Sequence, residues 1–203
     1  MTDDEILREY LPEQSVKQVM KWIKQKKVHF KITNGRSSKL GDYRPPIRYS
    51  NHRISVNHDL NQYSFLITFV HEMAHLNVWE KYQNRVAPHG IEWKNEYRKL
   101  MKVMLKKDIF PSDIGDVLAS SILNSKASST SDLQLMRVLS KYDANNHGTH
   151  LEDLPENVVF ETEKGRRFKK GAKRRTRYLC TNVNNQKQYL FHPLTVVIQV
   201  GTD

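Results

Sequence analysis

Two histidines four residues apart, with a glutamate beside the first, are the residues of this chain best suited to chemistry. They form the segment His71-Glu72-Met73-Ala74-His75, which follows the apolar run 65–70. In a helix, residues four apart lie on one face, so both imidazoles can bind one metal ion. Glu72 can then act as a general base on an attacking water molecule. The H-E-x-x-H spacing therefore predicts a zinc centre on a buried helix. A surface helix with two unrelated histidines is the alternative.

A catalytic zinc centre requires a third protein ligand and an open fourth position. His89 lies between a proline and a glycine, fourteen residues after His75, and these neighbours indicate a turn that can aim the imidazole at the helix. Glu96 is the competing ligand, at a spacing that some zinc proteases use. We favour His89, because a solvated position on the following helix explains Glu96. The longer H-E-x-x-H-x-x-G-x-x-H motif is absent, since position 78 is valine.

These residues resemble the SprT-like zinc metallopeptidases, the family that includes the eukaryotic protease Spartan. The shared features are the H-E-x-x-H helix, the pair Val78-Trp79 after it, and the turn Pro88-His89-Gly90 followed by Glu92-Trp93-Lys94. The resemblance is dense over residues 65–102 and looser over 15–64.

The resemblance implies one zinc ion per chain and a proteolytic activity. By this likeness the metal ligands are His71, His75 and His89, and Glu72 is the catalytic base. The likeness also implies that the substrates are proteins on DNA, including proteins crosslinked covalently to DNA.

The C-terminal part departs from bacterial SprT proteins. Those proteins usually end in a zinc ribbon built from paired C-x-x-C motifs, whereas this chain has one cysteine, Cys180. One thiolate cannot form a four-ligand structural zinc site. We therefore expect a degenerate, ribbon-like set of strands that binds no metal and is stabilised by packing, with Cys180 as a small buried strand residue.

The pattern of apolar residues predicts an α+β fold. A zincin-like metallopeptidase core, with helices on a small sheet, is followed by a small C-terminal antiparallel β region. We place the boundary at residue 150, which gives a core with a helical extension over 1–150 and a basic, β-rich region over 151–203. An edge strand beside the metal is where an extended peptide substrate would pair.

Periodicity places the individual elements. Helical spacing predicts a helical segment over residues 5–26 with a break near Pro12, and a long helix that starts near residue 61 and carries the H-E-x-x-H motif. It predicts further helices over about 91–106, 111–123 and 131–142. Alternation predicts strands at 29–33 and 53–57, and several short strands after residue 157. Polar composition predicts loops over 37–46 and 120–131.

Length and composition limit the class of protein. With 203 residues, 38% of them hydrophobic, the chain can form one ordinary core, or one core plus a small appendage. No run reaches the roughly 18 apolar residues that a membrane helix requires. Residues 1–5 lack the apolar core of a signal peptide, and a single cysteine excludes an intrachain disulfide. We expect a cytoplasmic protein with no membrane partner, and the oligomeric state is left open.

The net charge of +11 indicates a polyanionic partner, most often nucleic acid. Nine of the fourteen residues in 164–177 are basic and none is acidic, and we call this segment the basic run. Phe168 and Tyr178 lie in or beside it and could stack on bases. A solvated hairpin that keeps the protein in solution is the alternative. The predicted nucleic-acid contacts are Arg166, Arg167, Lys169, Lys170, Lys173, Arg174, Arg175 and Arg177.

Together these features predict a zinc-dependent endopeptidase that acts on protein or peptide substrates associated with DNA. The alternative from another class is a nucleic-acid-binding protein whose zinc centre is structural or vestigial. Glu72 discriminates between them, because a structural site has no use for a carboxylate beside the metal.

Overall fold

The computed structural model describes residues 2–36, 38–47, 50–123, 132–144 and 148–200. It is a mixed α+β structure, which confirms the predicted class, and it divides into two compact units, Met1–Ala144 and Asn145–Asp203. The strand Thr149–His150 pairs within the second unit, so these residues belong there and not to a core ending at 150. Most of the serine-rich loop expected at 120–131 lies outside the described residues.

The first unit places a three-stranded sheet among helices. Proline at position 12 separates the first two helices, as the sequence predicts, since it lies at the N-cap of the second. The elements in chain order are α1 (Asp3–Tyr10), α2 (Glu13–Gln25), β1 (His29–Thr33), β2 (Gly41–Arg44), β3 (Arg53–Asn57), α3 (Gln62–Tyr82), α4 (Ile91–Leu105), α5 (Ser112–Leu123) and α6 (Leu133–Ser140).

The sheet has the order β1-β3-β2, with β1 parallel and β2 antiparallel to β3. The prediction of a loop over 37–46 is wrong for β2, which pairs along its whole length with β3. The residues Gly41-Asp42-Tyr43-Arg44 contain no apolar alternation. Pairing with β3 therefore decides the conformation here, because an edge strand can form wherever its neighbour offers backbone groups.

Helix α3 is the centre of the first unit. Its side chains from Phe65 to Val70 are all buried, because the sheet packs on one side of the helix and α4 on the other. Asn61 caps its start by accepting the Ser64 amide at 2.9 Å. From α4, the side chains of Trp93, Met101 and Met104 are at most 1% exposed. Each large apolar side chain buried in this way contributes about 1.5–3 kcal/mol, so residues 71–75 stand in a densely packed part of the unit.

The second unit is one antiparallel sheet of order β4-β9-β5-β6-β7-β8. Its elements are β4 (Thr149–His150), a 3-10 turn (Leu151–Asp153), β5 (Val159–Glu161), β6 (Arg167–Arg174), β7 (Arg177–Asn182), β8 (Gln188–Phe191) and β9 (Val196–Gln199). Cys180 is fully buried between Phe160, Phe168 and their neighbours, as expected of a strand residue that packs in a core.

The aromatic residue inside the basic run is part of this core. Phe168 is 1% exposed and packs against Phe160, with the ring centroids 5.8 Å apart. The prediction that Phe168 offers a base-stacking surface is therefore wrong.

None of the described helices combines the length and the apolarity needed to cross a lipid bilayer.

Candidate metal centre

The structure brings together the three histidines that the sequence singled out. α3 supplies His71 and His75, one turn apart, and the turn between α3 and α4 supplies His89. The Nε2 atoms of the three rings form a nearly equilateral triangle. The distance is 3.2 Å between His71 and His75 and 3.0 Å from His89 to each of them.

This triangle suits a cation better than it suits hydrogen bonding. A neutral Nε2 either donates or accepts, so at least two of the three atoms are alike and cannot share a proton. Burial lowers the pKa of His71 to about 3 and of His75 to about 4, and it also lowers the pKa of His89, so the three rings are neutral near pH 7. Tetrahedral ligands of Zn²⁺ lie about 3.3 Å apart. The observed spacing and the three-imidazole donor set therefore fit zinc.

His89 is held in a strained backbone conformation. The Gly90 amide donates to the Ala87 carbonyl at 3.0 Å, which closes a turn with Pro88 at its second position. His89 occupies the third position with φ of 56°, where glycine or asparagine is usual. A side chain in this region costs about 1–3 kcal/mol. The turn that the sequence predicted is thus confirmed, and its strain is best explained by the direction in which it aims the imidazole.

Trp93 supports all three rings. Its ring centroid lies 4.6 Å from that of His71, 5.4 Å from that of His75 and 4.9 Å from that of His89. Trp93 is itself stacked on the buried Tyr97, at 5.0 Å between centroids. Because α4 starts directly after the His89 turn, one indole contacts the histidine from the turn and the two histidines from α3.

Glu72 follows His71 directly on α3 and is 7% exposed. Burial raises the pKa of this carboxyl to about 8, and the nearby Asp42 adds to the effect. Lys39, Arg36 and a hydrogen bond from the backbone amide of Tyr43 oppose it. Because a carboxyl with this pKa is mostly protonated at pH 7, it would need the positive charge of a bound cation to ionise it before it accepts a proton as a general base.

Strand β2 passes so close to Glu72 that a side chain at position 41 would not fit. A Cβ atom on Gly41 would lie 2.7 Å from Glu72 Oε1 and 2.7 Å from Thr68 Cγ2. The absence of a side chain therefore lets Tyr43, two residues further along β2, bring its amide to the Glu72 carboxylate. Sequence reasoning missed this role, because Gly41 looks like an ordinary loop glycine until the pairing of β2 is known.

Glu96, the competing ligand, has other partners. Its Oε1 lies 2.5 Å from Lys81 Nζ on α3 and 3.1 Å from Lys99 Nζ on α4. Burial raises the pKa of this carboxyl, but the two ammonium groups outweigh burial and lower it overall. Glu96 therefore joins α3 to α4 through ion pairs, and it is not among the residues that meet at the triangle.

The basic run forms β6 and the turn into β7. Most of its side chains are exposed, and Arg167 pairs with Glu161 at 3.0 Å. Lys170 differs from the rest, since it is 2% exposed. Its ammonium donates to the carbonyls of Glu152 and Leu154 and lies 4.2 Å from the Tyr178 ring centroid. Burial lowers the pKa of Lys170. We correct the predicted set of nucleic-acid contacts by removing Lys170, because its charge is used inside the sheet.

Comparison with known proteins supports the likeness seen in the sequence. The model of the SprT-like family matches residues 9–114, slightly more than half of the 203 residues. The matched segment contains the three histidines, Glu72 and β2, whereas the basic run lies outside it. No curated protein and no solved structure gives a significant match.

We expect His89→Ala to lower zinc affinity by more than about 100-fold, because loss of residues that merely support a ligand already costs about 10–100-fold. Affinity is measured by titration against a competing chelator and occupancy by elemental analysis. Glu96→Gln is the control and should retain zinc. It should lose about 1.5–3 kcal/mol of unfolding free energy, because two lysines lose a charged acceptor. Zinc loss in Glu96→Gln with full occupancy in His89→Ala would reverse the ligand assignment.

We expect Gly41→Ala to lower the free energy of unfolding by about 1–3 kcal/mol, as overpacked sites do. The new methyl group would overlap the Glu72 carboxylate and Thr68. Gly115→Ala in α5 is the matched control, because a Cβ there meets no atom within 4 Å. That control should be stabilised by about 0.5–1 kcal/mol. Urea denaturation measures both, and equal behaviour of the two variants would show that β2 can move away from Glu72 freely.

Proposed function

The chain belongs to the SprT-like family, and from this premise we propose that it is a zinc-dependent endopeptidase acting on proteins associated with or crosslinked to DNA. One observation carries the proposal: three neutral imidazoles converge within 3.2 Å, and the residue that follows the first of them on α3 is a buried glutamate. A merely structural metal site would need the histidines and would leave Glu72 without a purpose.

His71, His75 and His89 would hold the zinc ion. When bound, zinc lowers the pKa of a water molecule and polarises a carbonyl group. Glu72 would accept the proton of the attacking water and then deliver it to the leaving nitrogen. The amide of Tyr43 would keep the Glu72 carboxylate in place through both transfers, and the buried surroundings of Glu72 would allow it to hold the proton between them.

Strand β2 supports a peptide as the substrate. It is an outer strand of the sheet, and it runs beside Glu72. An extended peptide can add to such a strand through main-chain hydrogen bonds. This pairing would hold the backbone of many different substrates near the metal, because main-chain bonds do not depend on sequence. A broad endopeptidase specificity follows from that.

The basic run supports the DNA part of the proposal, and it also supports the alternative of a nucleic-acid-binding protein without protease activity. Its exposed members line β6 and the following turn, where Arg174 and Arg177 are paired residues. Exposed guanidinium and ammonium groups in such density bind phosphates without reading bases. Hydrolysis by the wild-type protein is what separates the two candidate functions.

We expect Glu72→Gln to retain zinc and fold while losing about two to four orders of magnitude in kcat, roughly 3–5 kcal/mol of barrier. The amide is nearly isosteric but cannot accept the proton. Cleavage of casein or of a fluorogenic peptide measures the rate, and elemental analysis with a thermal unfolding curve verifies zinc and fold. Cleavage at near wild-type rate would refute the role of Glu72, whereas an inactive wild type with full zinc would favour the alternative.

We expect neutralisation of the exposed basic run to weaken DNA binding and to flatten its salt dependence by about 0.7–0.9 in log–log slope for each phosphate that the variant no longer binds. The variant carries glutamine at Arg166, Lys169, Lys173, Arg174, Arg175 and Arg177, and fluorescence anisotropy at several salt concentrations measures binding. Cleavage of a free peptide should survive. The control removes the same charge from Lys17, Lys21, Lys24, Lys102, Lys106 and Lys107. Equal weakening in the control would mean that only net charge matters.

A further inference from the structure

A second concentration of positive charge lies on the first sheet, on the side opposite α3. The outward side chains of β1, β2 and β3 form a groove of about 170 Å³ there. Four of the side chains that line it are lysine or arginine, namely Lys31, Arg36, Arg44 and Arg53, and Asp42 is the acidic residue among the described residues that line it. This surface is far from the basic run in sequence.

The cations are placed where like charges repel each other. Arg44 lies directly opposite Arg53 in the pairing of β2 with β3. Like charges in opposite positions of adjacent strands destabilise a sheet. A bound anion would attract both cations and would thereby turn this repulsion into a stabilising interaction.

The groove also holds an incompletely bonded guanidinium. Arg36 donates from Nε to Asn57 Oδ1 at 2.8 Å and from Nη1 to Ser55 Oγ at 3.2 Å, whereas its Nη2 is buried without a hydrogen-bond partner among the described residues. Both of these acceptors are neutral, so they orient Arg36 without cancelling its charge. Because Ser55 Oγ accepts from Arg36, its own proton remains to be donated to an oxygen in the groove.

Asp42 does not neutralise this surface. Its Oδ1 lies 2.8 Å from Lys39 Nζ and its Oδ2 lies 2.8 Å from Arg44 Nε. Burial raises the pKa of Asp42, but the hydrogen bonds from these two cations outweigh burial and lower it overall, so Asp42 is ionised near pH 7. One negative charge shared by two cations leaves the charges of Lys31 and Arg36 to set the sign of the groove.

We propose that this groove binds the phosphodiester backbone of a nucleic acid strand. Its cations extend across three strands, about 10 Å, which is wider than one phosphate group and suits successive phosphates. Guanidinium groups match phosphate oxygens in geometry as well as in charge, and a free serine hydroxyl is a common neutral donor to the same oxygens. The proposal concerns binding and does not depend on peptide hydrolysis.

The groove and Glu72 lie on opposite faces of strand β2. Along β2, Asp42 and Arg44 face the groove, while Gly41 and Tyr43 alternate with them and lie on the side of Glu72. A nucleic acid on the groove would therefore lie on one face of the same strand whose other face borders the candidate catalytic carboxylate. A protein attached to that nucleic acid would be held close to β2.

The test compares two doubly neutralised full-length proteins of equal net charge, Lys31→Gln/Arg44→Gln in the groove and Lys17→Gln/Lys21→Gln on the exposed side of α2. Binding of a labelled single-stranded oligonucleotide is measured by fluorescence anisotropy at several salt concentrations. We expect the groove variant to bind about tenfold more weakly at low salt and its log–log slope to be flatter by about 1.4, the value for two phosphate contacts on a single strand. The α2 control should keep the wild-type slope.

Lys31→Gln alone should give about half of the change in slope. Because Lys31 is exposed, this single variant should fold normally, so the test remains valid if the double variant misfolds. The same groove substitutions in a protein with a neutralised basic run should still weaken binding, which distinguishes this surface from that run. Identical slopes for the groove and control variants would overturn the proposal. Two further results would overturn it. In the first, labelled polyglutamate binds as tightly as the oligonucleotide and its binding is weakened equally by the groove substitutions. In the second, the substitutions change only how well inorganic phosphate competes with the oligonucleotide, and leave the affinity for the oligonucleotide itself unchanged.

Discussion

The packing of α3 between β2 and α4 is the constraint on which the rest of the structure depends. A helix buried on both sides removes water from His71, His75 and Glu72 together. Desolvation then keeps the imidazoles neutral and raises the pKa of the carboxyl. The same burial therefore acts on both kinds of group: it keeps three imidazoles neutral, as metal binding requires, and it raises the proton affinity of Glu72.

Two features hold the remaining ligand in position relative to α3. The ion pairs of Glu96 with Lys81 and Lys99 join α3 to α4, and Trp93 at the start of α4 contacts all three imidazoles. With the helices joined in this way, the short turn between them has little freedom, and His89 adopts a positive φ. The contacts that other residues make thus offset the free-energy cost of the backbone conformation of His89.

The positive charge of the chain has three different structural uses. Lys81 and Lys99 stabilise a buried carboxylate, and the buried Lys170 donates to backbone carbonyls within the second unit. Most charges of the basic run, and those of Lys31 and Arg36 on the outer face of the first sheet, by contrast form no ion pair with the acids that the structure describes. An external polyanion is the counter-charge that we propose for these two surfaces, and this difference in use cannot be read from the net charge of +11.

The sequence by itself determined the pair of histidines on one helix face and the class of fold. Spacing along one helix is a local property, so His71, Glu72 and His75 follow from the motif, and the proline and glycine around His89 mark its turn locally as well. Tertiary structure decided the rest. Whether Glu96 or His89 approaches His71 and His75 depends on the ion pairs that Glu96 forms with lysines. Whether Lys170 is exposed depends on which face of β6 its side chain takes. β2 is formed by pairing with β3, and only that pairing shows that Gly41 must lack a side chain beside Glu72. Contacts between distant segments carry this information, and periodicity in one segment cannot contain it.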